Sequence, residues 1–227
     1  LGTAKDLRAA TWRRQQAPGL DIVPSGDFSL YDQVLDTSVM VGAIPALYRP
    51  LGAPESLDVY FAMARGTQAG AAETGCAHGH GKGDVPAQEM TKWFDTNYHY
   101  LVPELGPLQR FALTTTKPVD EFREAKALGI HTRPVIIGPV TWLLLAKPAQ
   151  EGFEPLSLLG DLLPVYVELL SRLRDAGADW VQIDEPALVL DLIPNERDAF
   201  KFAYERLAKA APELKIMLAT FFGALGD

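Results

Sequence analysis

The sequence predicts an α/β fold built on a parallel sheet. Three observations predict it. Beyond Arg110, strand-like apolar runs alternate with helix-like stretches, and such alternation requires right-handed crossovers between parallel strands. The junctions are punctuated accordingly, with Pro118 in a first helical turn, Gly129 just past the end of that helix, and Gly177 closing a longer one. No Gly-x-Gly-x-x-Gly follows a strand, so a dinucleotide-binding sheet loses support. A (β/α)8 barrel and an open doubly wound sheet both satisfy this pattern, and about five strand-like runs are visible where a closed barrel needs eight.

In chain order, Ala4 to Gln16 is helix-like and Leu20 to Pro24 is a short apolar run of strand type. Asp27 or Ser29 is placed to cap a helix carrying Tyr31, Val34, Leu35 and Val39 on one stripe. Ser56 caps another, with Leu57, Tyr60, Phe61 and Ala64 at helical spacing. Residues 66–87, rich in glycine and alanine, read as an insertion-like loop. Phe111 to Thr114 is strand-like, Pro118 to Leu128 a helix, and Arg133 to Ile137 a buried-type strand closed by Gly138-Pro139. Leu156 to Ala176 is a long helix expected to kink at Pro164, where the backbone donor is missing. Trp180 to Ile183 is a strand, Pro194 to Ala210 a helix and Lys215 to Leu218 a strand.

The chain has 227 residues, 48% of them hydrophobic and 22% charged, which suits one globular α/β domain. Its net charge of −8 argues against general binding to nucleic acid or an anionic membrane. The longest apolar run, Val135 to Ala146, falls far short of the ~18 residues of a membrane span. A single cysteine, Cys76, excludes an internal disulfide and fits a reducing, cytoplasmic setting. The chain opens at Leu1 directly into helix and stops at Asp227 just after an apolar run, so both ends read as cuts through a larger domain.

Three stretches carry candidate chemistry. Glu89 to Tyr100 packs aromatics beside Lys92, Asp95, Asn97 and His99. Aromatic faces stack on flat heterocycles, and an ammonium offers a flexible point charge to a carboxylate or phosphate. The competing reading is an aromatic core segment with polar tips, since aromatics are usually core. Trp180 to Pro186 places Gln182 and Asp184 on one strand face and Val181 and Ile183 on the other, with Asp184 and Glu185 at the strand's C-terminal end, where barrel active sites lie. The competing reading has both acids bonding loop amides. A glycosidase dyad made of Asp184 and Glu185 is disfavoured, because neighbours on a strand point opposite ways. Cys76, His78 and His80 alternate and so share a side, but a structural zinc site takes four ligands at wider spacings, and the surrounding glycines make ordering costly. His131 reads as a surface residue.

The run Met90 to Tyr100 continuing to Val102-Pro103-Glu104, the run Val135 to Trp142, and the run Trp180 to Leu190 resemble signatures of the cobalamin-independent methionine synthases. Tyr31 to Asp36 and Met63 to Gly66 fit as well, and only Cys76 to Asp84 departs. The resemblance implies a (β/α)8 barrel, incomplete at both ends here, from the amino-terminal half of an enzyme with two barrels face to face. It implies transfer of a methyl group from 5-methyltetrahydrofolate polyglutamate to homocysteine, without cobalamin. In that family a zinc ion makes the thiol a thiolate, and a general acid protonates the leaving nitrogen. Both lie in the carboxy-terminal barrel, which this chain lacks, so no catalytic residue and no metal ligand carries over, Cys76 included. The chain alone is then expected to be inactive. Lys92 matches the lysine that binds the folate through its glutamate carboxylates. Trp93, Asn97 and His99 match as site-shaping residues, and Asp184 and Glu185 match at the barrel mouth with no direct role carried over. Two further readings stand beside this one: a non-catalytic folate or polyanion binding module, and a barrel hydrolase using Asp184 or Glu185.

Overall fold

A computed structural model describes residues 2–67 and 84–225. Its centre is a parallel sheet of four strands, β1 (Val23–Ser25), β5 (Thr132–Ile137), β7 (Trp180–Asp184) and β8 (Lys215–Ala219), adjacent in that order. Helices α4 (Lys117–Ala127), α6 (Leu159–Asp175) and α7 (Pro194–Ala210) make the three crossovers and pack side by side. Between this helical layer and the sheet lies the main core, where Val181 and Ile183 meet Leu162, Tyr166, Leu169 and Leu170 of α6 and Ala203 and Leu207 of α7. The alternation along β7 leaves Trp180, Gln182 and Asp184 on the face opposite α6 and α7, half-buried. Among the described residues the sheet is an open arc rather than a closed ring.

Several predicted elements are met with small shifts. The helix at Pro194–Ala210 has the expected bounds. The predicted start at Leu156 is instead a 3-10 turn over Pro155–Leu158, and α6 begins at Leu159. Pro164 sits on the exposed side of α6, and the carbonyl its missing donor leaves free, that of Gly160, lies at an exposed residue. Phe111 to Thr114 is not a strand. Its amides at Ala112 and Thr114 donate instead to the carbonyls of Val41 and Met40 at the end of α2 (Gln33–Met40). Strand propensity is present there, but a strand needs a neighbouring strand to pair with.

The cap of α2 also differs from expectation. Asp32, rather than Asp27 or Ser29, accepts from the amides of Val34 and Leu35, each at 2.8 Å. Its second oxygen accepts from the amide of Leu101 at 3.1 Å, in a hairpin of β2 (Met90–Lys92) and β3 (His99–Leu101). One buried carboxylate therefore caps a helix and ties a distant hairpin to it. Asp32→Ala is expected to cost about 2 kcal/mol of stability, from a lost cap and an orphaned buried amide, read as a lower denaturant midpoint.

A second core holds α2, α3 (Leu57–Arg65) and Leu101 together, and a small third one, Trp12, Val23, Ala125 and Ile130, seats α1 (Gly2–Gln16) on β1 and α4. Ser56 caps α3 as expected, accepting from Val59 at 3.3 Å. Of the insertion-like loop, the described ends are pinned by an antiparallel bridge between Thr67 and Val85. Cys76, His78 and His80 lie outside the described residues. Short strands β4 (Glu104–Leu105) and β6 (Lys147–Pro148) pair in parallel beside the hairpin, and α5 (Pro139–Leu144) follows β5 directly.

Candidate functional site

The hairpin and the C-terminal ends of the parallel strands form two neighbouring polar regions, with α2 between them. In the hairpin, Trp93 and Tyr100 are buried and pack edge to face at 5.8 Å, and the Tyr100 hydroxyl donates to the Leu145 carbonyl at 3.1 Å. The turn is closed by Thr96, whose hydroxyl donates to the Trp93 carbonyl and accepts from the Tyr98 amide. At its tip, Phe94 adopts a left-handed backbone and packs its ring against Phe222, beyond β8, at 5.7 Å. At its base, Lys147 of β6 bridges Glu89 and Glu104. The segment is thus fixed at both ends and along one face. What it leaves exposed includes Lys92 and His99, directly opposite each other across the ladder. Of the sequence-predicted site residues here, Trp93 is core, Asn97 is exposed, and Lys92 and His99 face solvent.

On the sheet face opposite α6 and α7, a side-chain chain runs across the strands. Arg133 of β5 donates to Gln182 at 2.8 Å, and Gln182 donates to Asp184 at 2.7 Å. Asp184 closes a cleft of about 90 Å³ lined also by Asp27, Ser29, Gln33, Asp36 and Lys117. Burial pushes the Asp184 carboxyl up to about 6; the Gln182 hydrogen bond and Arg133 hold it down in part, and Asp27 adds to the rise. Lys117 pairs with both Asp36 and Glu121 at 3.3 Å, and Asp36 accepts from the Tyr60 hydroxyl at 2.7 Å. Sequence reading missed Asp36, Lys117 and Arg133. The available signal for Arg133 was its alternation with Val135, which sets it on one strand face as Gln182 is set on the next.

Glu185 does not join Asp184. It is fully buried on the helical side, where it accepts from the amides of Thr141 at 2.7 Å and Val140 at 3.3 Å and from the Tyr204 hydroxyl at 2.9 Å. It caps the first turn of α5 from a distance in sequence. Glu185 therefore bonds amides as the competing reading had it, but those of the first turn of α5 rather than of a loop, while Asp184 faces the cleft. A hydrolytic pair made of these two acids is excluded by their placement on opposite sides of the sheet. His131, as expected, is exposed, and pairs with Asp179 at 2.9 Å. Among the described residues no group of three or more His, Cys, Asp or Glu is arranged to hold a metal ion, and no helix is long and apolar enough to cross a membrane.

Comparison with known proteins connects these features. The family described as "Cobalamin-independent synthase, N-terminal domain" matches residues 1–227. A 5-methyltetrahydropteroyltriglutamate–homocysteine methyltransferase of Mesorhizobium japonicum is 65% identical over 233 residues, covering 100% of this chain and 30% of the relative. Proteins of the same name from Rhodopseudomonas palustris and Caulobacter vibrioides are each 62% identical, again over 100% of this chain and 29% and 30% of their own lengths. The chain thus spans about 30% of the length of the curated relatives it matches. With the hairpin, the Gly138-Pro139 turn and the end of β7 all lying within the matched region, the chain belongs to the cobalamin-independent methionine synthases, in their amino-terminal domain.

Proposed function

We propose that this chain is the folate-side part of a methyltransferase that moves a methyl group from 5-methyltetrahydrofolate polyglutamate to homocysteine, yielding methionine. The observation that carries the reading is the match along the whole chain, at 65% identity, to a relative named for those two substrates. In this reading residues 1–227 belong to a (β/α)8 barrel. The strand order supports it, because β1, β5, β7 and β8 lie side by side in chain order with their crossover helices in one layer. A doubly wound sheet would reverse its order and put helices on both faces.

The zinc-held thiolate and the proton donor belong, in the same reading, to the carboxy-terminal barrel on which this one packs, and no chemical step falls on residues of this chain. Its own contribution is to hold the anionic tail of the folate. Lys92 stands exposed on a rigid hairpin and offers an ammonium that no ion pair among the described residues occupies. Hydrogen bonds to charged groups contribute more than neutral ones, so a lysine–carboxylate contact made only by the tail discriminates tail lengths. In the protein at the length of its relatives, Lys92→Ala is expected to weaken binding of the triglutamate folate about tenfold and of the monoglutamate less than about twofold. Equal losses for both would mean that Lys92 does not read the tail.

A further inference from the structure

We infer that His99 is a second binding residue for the same polyanionic tail, taking a carboxylate next to the one held by Lys92; the inference rests on the reading above. Lys92 and His99 are direct partners across the β2–β3 ladder, so their side chains leave the same face, with β-carbons about 5 Å apart. Most other side chains near them are engaged. Trp93, Tyr100 and Leu101 are buried, the Met90 thioether accepts from the Tyr31 hydroxyl at 3.6 Å, and Thr96 closes the turn. Lys92 and His99 are both exposed.

The histidine ring is already oriented. Its Nδ1 lies 3.0 Å from the Asn97 carbonyl oxygen, which can only accept, so Nδ1 carries a hydrogen and Nε2 is the nitrogen turned outward. Nε2 is therefore the ring atom presented beside the Lys92 ammonium, the position from which an imidazolium donates to a carboxylate. A γ-linked glutamate oligomer repeats its carboxylates along one chain, and so offers one to each residue. A monoglutamate lacks the repeat. Asn97 acts here only through its backbone carbonyl, so its side chain is not part of the contact.

The test uses the protein at the length of its relatives and the triglutamate and monoglutamate forms of 5-methyltetrahydrofolate, with melting temperature as the control for folding. His99→Ala is expected to weaken triglutamate binding about tenfold and monoglutamate binding less than about twofold, while His99→Lys stays within about threefold of the unsubstituted protein for both. His99 is exposed, so neither change should move the melting temperature appreciably. If Lys92→Ala is tail-selective and His99→Ala is not, the inference about His99 falls and the folate reading stands. If the unsubstituted protein binds both tails alike, both fall.

Discussion

Gly138→Ala should sharply lower the stability of the chain. The backbone at Gly138 (φ −71°, ψ 151°) is one alanine adopts freely, so the requirement is one of space. A β-carbon at this position overlaps Cδ and Oε1 of Glu185 and crowds its Cγ. Glu185 cannot step aside, since it is fully buried and accepts from two amides and a tyrosine hydroxyl. The backbone has little freedom as well, because the Gly138 amide donates to the Asp184 carbonyl at 2.8 Å and its carbonyl accepts from Trp142. Overpacking a core costs about 1–3 kcal/mol, and dislodging a bonded buried carboxylate adds a cost of similar size or greater, so a total loss above about 3 kcal/mol is expected. Denaturant unfolding measures it. The double substitution Gly138→Ala with Glu185→Asp shortens the acid and should recover part of the loss, a coupling that distant sites would not show. An alanine variant with an unchanged midpoint would mean that Glu185 does not fill the space beside Gly138.

The Glu185 arrangement shows where sequence reading stops. Period-two alternation puts residues 181, 183 and 185 on one face and 182 and 184 on the other, so the separation of the two acids was implicit in the strand. Adjacency in the motif nonetheless gave both acids the same standing. What the alternation lacks is the partner set: Val140 and Thr141 lie more than forty residues away, and only the folded chain brings α5 and Tyr204 to the acid. The crossover helices were legible because an apolar stripe and a terminal proline or glycine are local signals, as at Pro194–Ala210 and at Gly129. Phe111 to Thr114 has the composition of a strand and misled because pairing is not local. The cap of α2 was misplaced for a related reason. Asp27, Ser29 and Asp32 are all good caps by type, and the choice of Asp32 is reinforced by its tie to Leu101, a contact across the fold. Lys92 stood out in sequence by its aromatic setting, whereas its exposure opposite His99 became visible only with the hairpin's register.

Glu185→Ala should be nearly as damaging as the Gly138 substitution, and its amide counterpart should not be. Alanine leaves the amides of Val140 and Thr141 and the Tyr204 hydroxyl without their acceptor at a buried site, at a cost of about 3–5 kcal/mol. Glutamine keeps one oxygen for the amides, and the tyrosine hydroxyl can turn to accept from its NH2 group. The pH dependence separates the neutral from the charged requirement. Burial pushes the Glu185 carboxyl from 4.5 up to about 7, partly opposed by its bonds to Thr141, Tyr204 and Val140. Between those two values the folded chain keeps a proton that the unfolded chain has lost. Stability contributed by this group is therefore greatest below the lower value and declines as pH rises through the window. Asp32 and Asp184, both raised to about 6 by burial, tilt the curve the same way, but they are untouched by a change at residue 185. Subtracting the wild-type curve from that of Glu185→Gln thus isolates one carboxyl. The glutamine variant should gain on wild type by on the order of 1–3 kcal/mol between pH 5 and pH 8. A constant difference across that range would show that Glu185 titrates alike in the folded and unfolded chains, and that its burial is matched by the donors around it.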